Sequence, residues 1–331
     1  MMSSDIGLLD ATALRLLGGV GVILILATAI AWLLSWRLRA PKHEELLTNL
    51  RQRIYAWWVM IAVLFGSLAI GELATILLFV VLSLLALREF LTLAPVPSRR
   101  VMTAVLICAA LIHFALLMKH WYGFYSVFIP VYVFLFLPAA AALTGRTAGF
   151  LTRTAIAQWA LMVCVFALSF NPALLHLPVA IEQGREVADG APLGAGGAAG
   201  GKLLLFLVIV VQGSDVLQYI WGKLFGRHPI APSVSPNKTW EGFIGGVLTA
   251  TVLGGALAWL TPFAPWQAGM MALISCLLGF AGGLVMSSIK RDRDIKDFGA
   301  LIPGHGGVMD RLDSLTFAAP VFFHLVRYFF T

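Results

Sequence analysis

The sequence predicts an all-α, polytopic integral membrane protein with about ten transmembrane helices. Three observations carry that expectation. Hydrophobic residues make up 60% of the 331-residue chain and charged residues 12%, about half the charged share of an ordinary soluble domain. Mean hydropathy is +0.91. The apolar residues also gather in long runs, and about 20 in a row is what a helix needs to cross a bilayer.

In chain order, the first run, 13–36, exceeds the apolar core of a cleavable signal, and MMSSDIGLLDATALR, residues 1–15 leading into it, carries two Asp and one Arg. It therefore reads as a permanent helix. Spans at 55–71 and 72–88 meet in a tight hairpin at Gly71-Glu72, and 101–119, 122–144 and 155–176 follow. The last four fall at 202–222, 242–262, 267–287 and 312–330. Trp36, Tyr55, Trp57, Trp58, Trp121 and Trp221 lie near predicted ends, where amphipathic rings favour the headgroup level. Residues 1–200 are expected to form an N-terminal transmembrane region with a Gly-rich outer loop, and 201–331 a C-terminal region with two active-site loops.

Most of the 23 Lys and Arg fall in alternate loops. Loop 37–54 has Arg37, Arg39, Lys42, Arg51 and Arg53; loop 88–100 has Arg88, Arg99 and Arg100; loop 145–154 has Arg146 and Arg153. Lys223, Arg227 and Lys238 lie in loop 223–241, and Lys290, Arg291, Arg293, Lys296 and Arg311 in loop 287–313. Because cytoplasmic loops carry the excess of Lys and Arg, these loops are expected in the cytoplasm and both termini outside, in a bacterial inner membrane.

Cys108, Cys164 and Cys276 sit singly in apolar runs, which gives neither a disulfide framework nor a zinc-ligand spacing. Loop 177–201 contains GAPLGAGGAAGG, in which Gly194, Gly196 and Ala199 fit a loose dinucleotide pattern. With no preceding strand and no βαβ unit, a flexible linker is the better expectation. No repeat of fixed period is present, which argues against a solenoid.

Two stretches hold nearly all the polar signal: QGSDVLQYIWGKLFGRHPIAPSVSPNKTWEG, 212–242, and SSIKRDRDIKDFGALIPGHGGVMDRLDS, 287–314. Asp215 lies well inside its span, where a carboxylate should face a cavity, a cation or a polar neighbour rather than lipid. Asp310 and Asp313 are three apart at the start of the last span, hence on one helix face. Such a pair can share a divalent ion that also takes substrate phosphates. Gly304, Gly306 and Gly307 allow positive φ and close backbone approach, and the helix that follows offers unpaired N–H groups to an anion. Lys290, Arg291, Lys296 and Arg311 supply the positive charge a polyphosphate needs. Ser235, Asn237, Lys238 and Thr239 are donors for phosphate or a base edge, presented by a loop stiffened by Pro232 and Pro236. No G-x-x-x-x-G-K-[ST] is present, so this is not a P-loop.

The run Ser287-x-x-Lys290-Arg291-x4-Lys296-Asp297-x-Gly299-x3-Ile302-Pro303-Gly304-His305-Gly306-Gly307-x-x-Asp310-Arg311-x-Asp313 resembles the signature of the CDP-diacylglycerol synthases, or phosphatidate cytidylyltransferases. Asp215-x3-Tyr219-x2-Gly222-Lys223-x2-Gly226 and Ser235-Pro236-x-Lys238-Thr239-Trp240-Glu241-Gly242 are similar to that family's other marked segment. The resemblance covers about the C-terminal third of the chain, with Arg88-Glu89-Phe90 the one family-like stretch upstream. It implies that CTP and phosphatidate, or another lipid phosphate, give a CDP-lipid and pyrophosphate. It also implies Mg²⁺, with room for a second cation, held by Asp310 and Asp313 with Asp215. Lys290, Arg291, Lys296 and Arg311 would then meet phosphates, His305 would polarise a phosphate or orient a carboxylate, and Asp297 would belong to the catalytic set. Ser235, Asn237, Lys238, Thr239, Glu241, Ser287, Gly306 and Gly307 would hold substrate. Membrane lipids are implied partners, no nucleic acid is, and a homodimer is compatible with the family.

One departure stands out. Many family members read Gly-Asp-Leu where this chain reads Gly282-Gly283-Leu284, so a carboxylate is missing next to the expected metal. Asp215, Asp294 or Asp297 are the candidates to replace it. Two other readings compete with the synthase. A CTP-dependent lipid kinase would release CDP instead of pyrophosphate. A transporter would also explain ten spans and a buried Asp215, but its polar groups belong at the midplane rather than at one face.

Overall fold

The computed structural model describes residues 8–37, 44–93, 99–179, 197–302, 304 and 306–331. Helices coincide with each predicted span: α1 Ala11–Arg37, α2 Glu44–Ile70, α3 Glu72–Leu91, α4 Arg99–Met118 and α5 Tyr122–Ala142. The remaining helices are α6 Phe150–His176, α7 Gly197–Phe225, α8 Trp240–Ala256, α9 Pro265–Asp292 and α10 Met309–Phe330. The chain is an all-α polytopic membrane protein. Among the described residues, seven helices (α1, α2, α3, α5, α6, α7 and α9) are long and apolar enough to cross a bilayer. The others differ for visible reasons: α4 has only Met102–Met118 as its apolar part, α8 is 17 residues long, and α10 carries Asp310, Arg311 and Asp313 in its first turns.

Two spans are not regular α-helices throughout. Residues 128–133 of α5, which include Pro130, and 162–167 of α6 are π-helical. A proline lacks an N–H and crowds the preceding turn, and a widened turn accommodates both effects. The expected span 242–262 ends early, since α8 stops at Ala256 and a 3₁₀ turn, Ala258–Leu260, follows.

Apolar residues facing outward on α1, α2 and α5, such as Ile25, Trp32, Val63 and Leu135, are those a lipid surface would cover. The interior is built around α6 and the first half of α7, where Cys164, Leu168, Phe170 and 203–207 are buried. Cys108 is exposed while Cys164 and Cys276 are buried, as expected of unpaired apolar residues. Small residues let α7 to α10 approach one another closely. A Cβ added to Gly246 would lie 2.4 Å from the Gln218 side chain, one on Gly254 2.3 Å from Ala272, and one on Gly282 2.6 Å from the Asp313 carbonyl oxygen.

The expected linker is corrected at both ends. Residues 177–179 are buried, and Gly197–Gly201 already form the first turn of α7. A Cβ on Gly200 would sit 2.5 Å from the Leu174 carbonyl oxygen, so this glycine permits packing rather than flexibility. Gly194 and Gly196 lie outside the described residues. The N-terminal segment is fastened nearby: Leu8 N donates to Leu68 O at 2.9 Å, and Lys202 Nζ lies 2.6 Å from Asp10 Oδ2. Burial pushes the Asp10 carboxyl upward, but Lys202 and the Ala13 N–H outweigh it and hold the group below its ordinary value.

The stretch after α7 was expected to be a loop and instead forms a hairpin, β1 Pro229–Ala231 and β2 Ser235–Thr239. Its antiparallel register pairs Pro229 with Thr239 and Ala231 with Ser235. So short a ribbon needs outside anchors. Glu241 provides one, accepting from the N–H groups of Arg227 at 3.0 Å and His228 at 3.2 Å and pairing with the His228 ring.

Candidate active site

The hairpin lies where α7 ends and α8 begins, so Thr239 both finishes β2 and caps α8 by accepting from Gly242 N at 3.2 Å. Its hydroxyl sits among Gly222, Gly226 and Gly242; a Cβ on Gly226 would come within 2.7 Å of it. The spacing of these glycines thus brings β2 against the end of α7. Below the hairpin, α7, α8, α9 and α10 enclose a cavity of about 480 Å³, within the size range of small-molecule sites.

Two carboxylates converge in it around one serine. Ser314 Oγ donates to Asp215 Oδ2 at 2.7 Å, and Asp313 Oδ1 accepts from Ser314 N at 2.8 Å and lies 3.4 Å from Ser314 Oγ. Lys238 reaches in from β2 with its ammonium 4.6 Å from the centre of the Phe280 ring. Burial pushes the Lys238 ammonium below its ordinary value, Asp215 and Asp313 oppose that shift, and Lys290 adds to it. Arg311 also lines the cavity, and its Nε is buried with no hydrogen-bond partner among the described residues. A buried donor without an acceptor is costly, and a water or ligand oxygen in the cavity would relieve it.

Asp310 behaves differently from its expected partner Asp313. It lines the cavity but is only 7% exposed. Its Oδ1 pairs with Lys290 Nζ at 2.8 Å, while Oδ2 accepts from Phe298 N at 2.8 Å and Gly307 N at 2.9 Å. These bonds fold the glycine-rich loop over the start of α10. Of the three expected metal ligands, Asp215 and Asp313 converge on Ser314, while Asp310 is engaged by Lys290 and the loop. An oxygen set of two carboxylates beside a polar cavity fits a divalent cation that takes its remaining ligands from phosphate and water.

Ser235, Asn237, Lys238 and Thr239 line the cavity as expected. Other expected residues stand off it. Arg291 donates from Nε to Val234 O at 3.2 Å and from a terminal nitrogen to Ile295 O at 3.1 Å, tying hairpin to loop. Ser287 donates to Gly283 O within α9, and Lys296 and Asp297 are exposed on the loop. Glu241 is outside the cavity lining and secures the hairpin; the N–H of Arg227 and the His228 ring hold its carboxyl down at about 2. Gly304 and Gly306 do adopt left-handed φ, 71° and 83°. Gly307 instead lies against Glu89, which a Cβ would meet at 2.4 Å. His305 lies outside the described residues.

Sequence reasoning missed several contributors. Glu89 accepts from Val308 N at 3.0 Å and Met309 N at 2.9 Å, so α3 caps α10. Gln212 donates to Arg311 O at 3.0 Å. Arg53 and Trp57 extend the cavity wall from α2; their four-residue spacing, which places both on one helix face, was the available signal. The missing carboxylate of α9 has a structural counterpart, since a Cβ on Gly283 would lie 2.9 Å from Lys238 Nζ and 3.9 Å from Asp313 Oδ2.

Residues 51–329 match the cytidylyltransferase family, and the chain belongs to it. It is a nucleotidyltransferase of the membrane by that membership. The chain is 38% identical over 309 residues to the Uncharacterized protein YnbB of Escherichia coli strain K12, covering 92% of this chain and 95% of that one. It is 47% identical over 118 residues to the phosphatidate cytidylyltransferase of Mycobacterium leprae, covering 35% and 37% of the two chains. Against that of Staphylococcus saprophyticus it is 39% identical over 120 residues, covering 36% and 46%. These last two alignments thus span less than half of either named enzyme.

Proposed function

We propose that the protein joins CTP to phosphatidate, giving CDP-diacylglycerol and pyrophosphate, at the cytoplasmic face of a bacterial inner membrane. The observation that carries this reading is the convergence of Asp215 and Asp313 around Ser314, opposite Lys238 and Arg311, in one cavity at the end of the helix bundle. Arg53, Lys238 and Arg311, one from each of the basic stretches 37–54, 223–241 and 287–313, line the cavity, which supports the cytoplasmic side.

An oxygen of the lipid phosphate attacks the α-phosphorus of CTP, and the bond to the β-phosphate oxygen breaks to release pyrophosphate. No protein nucleophile is required, so catalysis is positioning and charge neutralisation. Asp215 and Asp313 would hold Mg²⁺, which when bound would supply positive charge to the triphosphate. Arg311 Nε and Lys238 Nζ meet phosphate oxygens, and Ser235 and Asn237 contact the nucleotide. Arg53 and Trp57, which line the cavity from α2, suit the lipid phosphate and its glycerol. Asp310, Lys290 and Glu89 act as positioning residues that keep α10 and its loop in register.

The test uses protein purified into lipid and supplied with CTP, phosphatidate and Mg²⁺. Equal amounts of CDP-diacylglycerol and pyrophosphate are expected, with the rate reduced on the order of 100-fold or more in Asp313→Asn. Release of CDP with the γ-phosphate transferred to an added diacylglycerol would make the protein a lipid kinase. Turnover of a different lipid phosphate would move the proposal to that substrate.

A further inference from the structure

We propose that Glu72, His120 and His176 form a zinc-class metal site at the end of the bundle opposite the cavity. The inference is independent of the catalytic reading. Glu72 opens α3 immediately after the Gly71 turn, His120 lies in the turn between α4 and α5, and His176 ends α6. One ligand atom from each lies within 4.8 Å of the other two. Glu72 and Glu89 stand at opposite ends of α3, 17 residues apart, or about 26 Å of helix. Since Glu89 holds the α10 end of the cavity, the cluster belongs to the other face.

A plain hydrogen-bonded pair accounts for only two of the three. His176 Nε2 lies 2.8 Å from Glu72 Oε1, and the His176 side chain is almost fully buried. That leaves His120, which packs edge-on against the His176 ring with centroids 4.4 Å apart. Its backbone is left-handed, φ 54°, one of two such non-glycine residues among those described. Two imidazoles and one carboxylate from three separate connections form a donor set suited to zinc. Tetrahedral zinc at about 2.0–2.1 Å from each ligand needs ligand atoms about 3.3 Å apart. Reaching it asks the Glu72–His176 pair to open from 2.8 Å and the exposed His120 side chain to turn toward them. With Glu72 37% exposed and His120 at the surface, the fourth position faces solvent. Such a metal would join the α2–α3 turn, the α4–α5 turn and the end of α6.

The test uses full-length, tag-free protein in lipid nanodiscs, stripped with a chelator and titrated with Zn²⁺ against a chromogenic competitor. Unfolding temperature is recorded in parallel. Wild type is expected to bind one Zn²⁺ per chain more than His120→Asn does, and to unfold at a higher temperature with Zn²⁺ than without. His120→Asn keeps a residue that tolerates left-handed φ, so its metal-free unfolding should match wild type. Its Zn²⁺ affinity should fall on the order of 100-fold or more. The difference in Zn²⁺ binding between wild type and His120→Asn should persist in an Asp313→Asn background, which removes any Zn²⁺ held by the cavity carboxylates. Equal affinity in wild type and His120→Asn, or disappearance of that difference in the Asp313→Asn background, would overturn the proposal.

Discussion

Gly282 and Gly283 are adjacent on α9 and should respond in opposite ways to a side chain. A Cβ on Gly282 would meet the Asp313 carbonyl oxygen at 2.6 Å and the Phe317 side chain at 2.9 Å. The first is backbone and cannot move aside, so Gly282→Ala should destabilise the protein by about 1–3 kcal/mol, read as a lower unfolding temperature in detergent. A Cβ on Gly283 would meet the end of the Lys238 side chain at 2.9 Å, which can swing away. Gly283→Asp should therefore fold and set a third carboxylate beside Asp215 and Asp313. Affinity for hard cations follows the number of charged ligands, so the Mg²⁺ concentration for half-maximal turnover should fall, on the order of tenfold. An unchanged Mg²⁺ requirement would mean that Lys238 neutralises the added charge. The sequence disclosed the missing carboxylate at Gly283, but not that Lys238, from a distant segment, occupies the space beside it.

Two acidic residues act on whole elements. Glu89 satisfies the Val308 and Met309 N–H groups at the start of α10. Glu89→Ala leaves those donors without their acceptor, costs about 1–3 kcal/mol, and should lower turnover by displacing Asp313 while the protein still binds lipid. Glu241 anchors the β1–β2 hairpin. The Arg227 N–H and the His228 ring bring its carboxyl from an ordinary 4.5 to about 2. Because the folded-state value is depressed, its stabilising effect is full above about pH 4.5 and fades as the pH falls through about 2. Protease nicking within 229–239 should rise over that window in wild type. In Glu241→Gln it should already be high at pH 7 and change little with acid. The helices carrying these elements were legible as apolar runs. The hairpin was not, because its alternation is too short and too rich in proline to stand out from a loop.

At the scale of the molecule, the loop charges predict an orientation that labelling can check. Thr331→Cys should react with a membrane-impermeant maleimide in intact cells, and Asn237→Cys only after permeabilisation. The reverse pattern would invert the topology and the proposed side of catalysis. By itself the sequence determined that the chain is a helical membrane protein, where its helices lie and which two polar stretches contribute to the cavity. Those features depend on the hydrophobicity and spacing of neighbouring residues. Only the tertiary structure decided that Asp313 converges with Asp215 rather than Asp310, that α3 caps α10, and that Glu72, His120 and His176 meet at the far end. Each of those pairings depends on how far a helix is rotated and how closely it approaches its neighbour. Close contacts at residues such as Gly246, Gly254 and Gly282 set that approach between elements far apart in the chain.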